Sequence, residues 1–323
     1  MTKALIVTAN GGSDVLQVRD VDVPPPGPGQ AQIKVAATGV NFIDVYQRQG
    51  VYPIPTPFTL GMEGAGEVVA VGDGVDLRPG DRVAWAMSLG SAAGLSNQPA
   101  PQLVPVPDGV PLTTAAAAML QGMTAHYLVN STYAVQPGDI ALVHAAAGGV
   151  GQLLVQLITA KGGRVIATAG SAEKLAIAEG LGADVLINYR DTDDLADAVR
   201  AATGGRGVDV AYDGVGKDTF DASLASLRPR GMLVLFGGAS GQVPPFDLQR
   251  LNAGGSLFVT RPTLAHYVLD REELLWRGGE ILGALADGSL HLEIGGEWPL
   301  AEAATAYDTL ESRASTGKLL LLP

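Results

Sequence analysis

The stretch HAAAGGVGQ, His144 to Gln152, decides how this chain is read. It follows the apolar run IALVH (Ile140 to His144) and opens a helical pattern from about Gly151 to Lys161, so a glycine-rich turn joins a buried strand to a helix. Set against G-x-G-x-x-G, the three positions are Ala146, Gly148 and Gly151, with alanine replacing the first glycine. A small residue still permits the tight turn. Gly148 and Gly149 let backbone N–H groups approach a pyrophosphate, and Gly151 lets the helix pack on the sheet. Dinucleotide binding is expected; a turn that serves packing alone is the alternative.

Downstream, strands and amphipathic helices alternate. RVIAT (Arg164 to Thr168) precedes a helix from Ala172, DVLI (Asp184 to Ile187) a helix from Asp193, VDVAYD (Val208 to Asp213) a helix from Asp218, and MLVLF (Met232 to Phe236) follows. Short connections between such units imply a parallel sheet with right-handed crossovers, with SLFVT (Ser256 to Thr260) at its edge. Upstream, from Met1 to about Gly122, short strand-like runs are broken by Gly and Pro: Ala4 to Thr8, Val15 to Val21, Ala31 to Ala36, Gly66 to Val71 and Asp81 to Ala86. They read as an irregular β-barrel or sandwich, with PPPGPG (Pro24 to Gly29) a stiff surface turn. The tail has helical patterns at Arg271 to Ala286 and Ala301 to Ser312, then a closing strand KLLLL. That strand needs a partner and is expected to return to the N-terminal β domain.

With 323 residues the chain has room for two domains and a large core. The net charge of −12 repels a phosphate backbone and disfavours nucleic acid as the main partner. Zero Cys removes disulfides, thiolate nucleophiles and Cys-built zinc sites together, and fits a cytoplasmic protein. No signal peptide is visible at Met1 to Asn10, and the apolar stretch Ile140 to Ala160, interrupted by His144, Gln152 and Gln156, reads as strand, turn and helix rather than a membrane span.

Cofactor choice is read about 20 residues past the turn, where an NAD enzyme sets a carboxylate against the ribose 2′-hydroxyl. Here the strand ends Ala169, Gly170, Ser171, with no carboxylate. A 2′-phosphate meets no repulsion there, and Lys174 follows at the positive helix N-terminus. Glu173 should point along the helix. An ordinary solvated helix charge is the alternative for Lys174.

With these residues in hand, the sequence resembles the NADPH:quinone oxidoreductase branch of the medium-chain dehydrogenase/reductase family, the zinc-independent group that includes zeta-crystallin. The resemblance covers nearly the whole chain. It rests on GVNFIDVYQRQGVYP (Gly39 to Pro53), GMEGAGEVVAVGDGV then PGDRV, MLQGMTAHYL, HAAAGGVG, LGADVLINYR, GGRGVDVAYDGVG, LRPRGMLVLFGGASG, FVTRPT and ESRASTGKLLLLP, in that order. It implies an α/β chain with a GroES-like β-barrel domain at residues 1–122, a doubly wound parallel-sheet Rossmann domain at 123–263, and a return to the first domain at 264–323. Zinc-dependent relatives hold their metal with Cys, His and a further Cys or carboxylate. This chain has Asn41 and Met62-Glu63 in those stretches, so no metal is expected.

The resemblance also implies NADPH contacts at Asn41, Phe42, Ile43, Asp44, Val45, Tyr46, Tyr127, Gly149, Val150, Gly170, Ser171, Ala172, Glu173, Lys174, Tyr189, Val215, Ala239, Ser240, Gly241, Gln242, Pro262, Thr263, Leu264 and Arg313. Lys174 and Tyr189 would hold the 2′-phosphate and adenine end; a half-buried tyrosine with a wet hydroxyl is the alternative for Tyr189. The nicotinamide would face Asn41, Tyr46 and Tyr52, which are the catalytic candidates to hydrogen-bond a carbonyl oxygen, pocket lining being the alternative for both tyrosines. His126 reads as a structural helix residue. Two departures from relatives stand out: SAAGLSNQPAPQ, Ser91 to Gln102, should fray or form a loop where relatives carry an apolar strand, and Lys318, at a position usually small and polar, should be a surface change.

The expected function is hydride transfer from NADPH to a quinone without a metal, by a homodimer that pairs or covers the apolar edge strand Ser256 to Thr260. A quinone needs little acid-base help, because its reduced oxygen is stabilised by the ring. The alternatives are an enone or enal reductase, for which a proton donor matters more, and a non-catalytic NADPH-binding protein of the crystallin kind.

Overall fold

The computed structural model describes residues 1–312 and 315–323, and the chain divides into two compact units, Met1–Met123 with Tyr267–Pro323, and Thr124–His266. The first unit begins with β1 (Thr2–Val7), β2 (Leu16–Val21), β3 (Gln30–Gly39), helix α1 (Phe42–Arg48), β4 (Phe58–Thr59), β5 (Glu63–Val71), β6 (Arg82–Ala86), β7 (Leu95–Pro99) and β8 (Val104–Pro105), after which helix α2 spans Leu112–Tyr127. Helices α1 and α2 add to the strand pattern read from this region.

Strand β7 corrects the expectation for Ser91 to Gln102. It pairs antiparallel with β3, from Gln30 opposite Pro99 to Lys34 opposite Leu95. Its polar residues bond inside the sheet: Ser96 Oγ donates to Gly90 O at 2.9 Å, and Gln98 Nε2 donates to Ser96 Oγ at 2.8 Å. Backbone pairing with β3 and these side-chain bonds hold the strand where apolar alternation is absent.

The second unit contains β9 (Ile140–Val143), α3 (Gly149–Ala160), β10 (Arg164–Ala169), α4 (Ala172–Gly180), β11 (Val185–Asn188), α5 (Leu195–Ala202), β12 (Val208–Asp213), α6 (Phe220–Ala225), β13 (Leu227–Leu235), α7 (Gln249–Ala253) and β14 (Phe258–Thr260). All strand pairings are parallel, in the order β11-β10-β9-β12-β13-β14. This is the doubly wound Rossmann order, and it reverses direction between β9 and β12. Leu142, Ile166, Val199, Val208, Phe220, Leu227 and Leu233 form a buried core there.

The chain returns to the first unit with α8 (Arg271–Asp287), β15 (Ile294–Pro299), α9 (Ala303–Glu311) and β16 (Lys318–Leu322). The terminal strand finds its partners in β15, parallel, and in β3, where Leu320 and Leu321 face Gly39 and Thr38. Leu319, Leu321, Tyr307 and Leu300 close one core with Leu5, Val40, Val45 and Leu60. Among the described residues, no helix is long and apolar enough to cross a membrane.

Candidate functional site

Six parallel strands send their carboxyl ends to one edge of the second unit, where open α/β sheets bind ligands. The sequence-selected residues of this unit gather in the loops of that edge: Gly149 and Val150 after β9, Gly170 to Lys174 after β10, Tyr189 after β11, Val215 after β12, Ala239 to Gln242 after β13, and Pro262 to Leu264 after β14. Tyr127 lies apart from these loops in sequence and is fully buried at the end of α2.

At the glycine turn, the left-handed residue is Ala145, with φ 49°, and Ala146 at the first-glycine position is completely buried. A side chain at Gly151 would collide with the Ala145 carbonyl oxygen and the Ala146 backbone, so only glycine lets helix and turn approach this closely. Helix α3 has no side-chain cap and no acidic residue in its first turn, whereas α4, α5 and α8 are capped by Ser171, Asp194 and Asp270. Its first N–H groups and positive dipole end are thus left for an external anion. These features fit the pyrophosphate of a dinucleotide.

A buried polar chain braces this edge, and the sequence reading missed it. The Asp213 carboxylate accepts from Val215 N and Gly216 N, both at 2.9 Å, and from Thr219 Oγ1 and Ser223 Oγ. Because Ser223 gives its proton to Asp213, His144 Nε2, 2.8 Å from Ser223 Oγ, must be the donor there. His144 Nδ1 then accepts from Thr168 Oγ1 at 2.9 Å. Burial lowers the His144 pKa, against a smaller opposing pull from Asp213, which agrees with this neutral tautomer. The chain ties the ends of β9, β10 and β12 and fixes the Val215 loop. Ser240 continues it, its N–H and hydroxyl both donating to Val215 O at 2.8 and 2.9 Å.

The end of β10 reads as the sequence suggests. Ser171 caps α4 by accepting from Lys174 N at 3.3 Å, Ala172 and Glu173 are exposed, and Lys174 is half-buried. Across from them, the Tyr189 hydroxyl would stand 2.5 Å from a Cβ placed on Gly170, with Arg190 Nε at 3.1 Å. Arg190 was also missed from sequence, although it closes the LGADVLINYR motif.

In the first unit, Asn41 begins α1 and shares a capping box with Asp44: Asn41 N donates to Asp44 Oδ2 at 2.9 Å, and the Asn41 side chain accepts from Asp44 N. The Asn41 amide nitrogen donates to Gly39 O at 3.1 Å and Glu63 Oε2 at 2.9 Å, while its oxygen accepts from Lys318 Nζ at 2.7 Å. Both of its N–H bonds are committed, leaving none for a carbonyl oxygen. The expectation of Lys318 at the surface is corrected outright. Its ammonium is buried, 2.6 Å from Glu63 Oε2, because β16 carries it into the sheet beside β3. Glu63 also accepts from Leu120 N at 2.5 Å. Among the described residues, no cluster of three or more His, Cys, Asp or Glu side chains is arranged to hold a metal.

Phe42 and Ile43 are half-buried and Val45 is buried in the core. Tyr46 stacks edge-on against Tyr52 with ring centroids 5.5 Å apart, and Tyr52 is 42% exposed. Arg313 lies outside the described residues.

A doubly wound sheet with an uncapped glycine turn, on a chain that also carries a β domain, defines a dinucleotide-dependent oxidoreductase. Residues 27–137 match the alcohol dehydrogenase GroES-like domain, and 149–270 match the zinc-binding dehydrogenase family model. The chain is 44% identical to a quinone oxidoreductase of Pseudomonas aeruginosa, over all of both sequences. It is 41% identical to a 2-haloacrylate reductase of a Burkholderia species, over 100% of this chain and 99% of that one. Its structure matches that of Escherichia coli quinone oxidoreductase complexed with NADPH, with TM-score 0.96 and 40% identity, over 99% of this chain and 100% of that one. The chain belongs to the medium-chain dehydrogenase/reductase family, in its quinone oxidoreductase branch.

Proposed function

We propose that this chain oxidises NADPH and reduces quinones. The observation that carries the reading is the carboxyl edge of the parallel sheet, with an uncapped α3 for the pyrophosphate and a carboxylate-free β10 end followed by Lys174 for the 2′-phosphate. Full-length likeness to quinone oxidoreductases supports the acceptor.

When bound, NADPH supplies the hydride; the quinone takes it together with one proton from water, giving hydroquinone and NADP⁺. The protein's part is binding and orientation. Asp213, Ser223 and His144 hold the loops of the sheet edge in place. Tyr46 and Tyr52 are the hydroxyl donors for the acceptor's carbonyl oxygen, and Asn41, with its N–H groups committed, is a positioning residue that anchors α1. Phe42 to Tyr46, Tyr127, Ala239 to Gln242 and Pro262 to Leu264 complete the proposed cofactor contacts.

The likeness to a 2-haloacrylate reductase favours a second acceptor class, activated double bonds conjugated to a carbonyl group. Steady-state oxidation of NADPH and NADH with a panel of quinones, enones and 2-haloacrylate separates these readings. Quinone turnover with a preference for NADPH is expected; turnover of none of them would leave a binding protein.

The same reading includes a cytoplasmic homodimer. Strand β14 is one of the two edge strands of the sheet, and its Phe258 is 55% exposed, an apolar edge that a second copy would pair and cover.

A further inference from the structure

We propose that Arg190 is a specificity-determining residue for the cofactor, gripping, with Lys174, the 2′-phosphate that distinguishes NADPH from NADH. The inference rests on the NADPH reading above and adds a ligand to it. Parallel pairing sets Ala169 opposite Asn188, and Tyr189 N donates to Ala169 O at 3.2 Å, so both strands end at one level. Beyond them, two consecutive side chains converge over Gly170: Tyr189 Oη stands 2.5 Å and Arg190 Nε 3.1 Å from the position its Cβ would take. The end of β10 is where such folds read the adenosine ribose, and here a guanidinium lies over it.

The turn that carries Arg190 is braced. Its N–H donates to Asn188 Oδ1 at 3.1 Å, and Thr192 Oγ1 donates to Asn188 O at 2.8 Å. The neighbouring Asp191 carboxylate accepts from Asn188 Nδ2, and among the described residues no ion pair engages the Arg190 guanidinium. A planar guanidinium offers several N–H donors in a fork that matches phosphate oxygens, whereas Lys174 contributes a point charge from the first turn of α4. The 2′-hydroxyl of NADH gives the guanidinium no anion to grip, so its contribution discriminates between the two cofactors.

The test measures dissociation constants for NADPH and NADH by nicotinamide fluorescence, and for adenosine 2′,5′-bisphosphate and adenosine 5′-monophosphate by calorimetry. The proteins are wild type, Arg190→Ala, Arg190→Lys and Lys174→Ala. Arg190→Ala is expected to weaken NADPH and the bisphosphate by about tenfold or more, leaving NADH and the monophosphate within about twofold, with Arg190→Lys in between. An unchanged NADPH affinity, or equal weakening of NADPH and NADH, overturns the role of Arg190. If Lys174→Ala alone shows the selective loss, Arg190 is excluded while the cofactor reading stands. Wild-type protein binding NADH as tightly as NADPH would remove that reading itself.

Discussion

Lys318 and Glu63 form a fully buried ion pair, Nζ to Oε2 2.6 Å, that joins the last strand of the chain, β16, to the start of β5. Asn41 bridges both partners, so the pair also fixes the cap of α1. Removing one member leaves the other charge buried and uncompensated, which costs about 3–5 kcal/mol. Lys318→Met should therefore lower the unfolding free energy by about that amount, and Lys318→Met with Glu63→Gln should recover much of it. Urea denaturation of the two variants checks this; equal stability of Lys318→Met and wild type would contradict it.

Cofactor preference should shift at the end of β10. Lys174→Ala should reduce the NADPH to NADH ratio of catalytic efficiencies by roughly tenfold to a hundredfold, the loss of one charged hydrogen bond. Gly170→Asp should reduce it further, for a reason the structure supplies. Its Cβ would stand 2.5 Å from the Tyr189 hydroxyl, so the ring must move aside, while the new carboxylate repels the phosphate and can accept from a ribose hydroxyl. Tyr189 is 48% exposed and has room to yield. A ratio within about twofold of wild type for Lys174→Ala would reduce that lysine to a solvated helix charge, since a lost charged hydrogen bond should do more.

Asp44 should make stability depend on pH. Burial pushes its carboxyl up to about 7, against the lowering effects of hydrogen bonds from Asn41 N and the Tyr307 hydroxyl. Its other oxygen, Oδ1, has no hydrogen-bond partner among the described residues. The folded protein holds this proton more tightly than the unfolded chain, where the group titrates near 3.8. Its contribution to stability is therefore full below about pH 4 and is lost as pH rises through about 7. Asp44→Asn should gain on wild type by about 2–4 kcal/mol between pH 4 and pH 8. Denaturant titrations across that range measure the difference, and parallel pH profiles would contradict it.

The edge of the parallel sheet should govern assembly. Phe258→Lys places a charge on the edge strand β14 and should raise the dimer dissociation constant at least tenfold, by the cost of burying an unpaired ammonium in an apolar contact. Sedimentation velocity over a concentration series reads this directly, and a wild-type chain that is monomeric at micromolar concentration would end the dimer proposal.

The second unit was legible in the sequence because its signals are local. A βαβ sheet announces itself through apolar strand runs and helical periodicity, and the turn at Ala145 to Gly151 needs small residues within a single connection, where they can be recognised without knowing what lies elsewhere. The proposed cofactor contacts of this unit came from the family resemblance, and in the structure they fall in or next to the loops that follow its strands. Strand β7 was not legible, because Ser96, Asn97 and Gln98 lack apolar alternation and pair only through β3, some sixty residues earlier in the chain. Lys318 was misread for the same reason: a lysine is by default a surface residue, and only the return of β16 beside β3 sets it against Glu63 and Asn41. His144 and Asp213, separated by the intervening strands and helices, became one polar chain only through Ser223 on α6. Local backbone conformation is written into neighbouring residues, whereas the burial and pairing of a polar group depend on distant segments that only the folded sheet brings into contact.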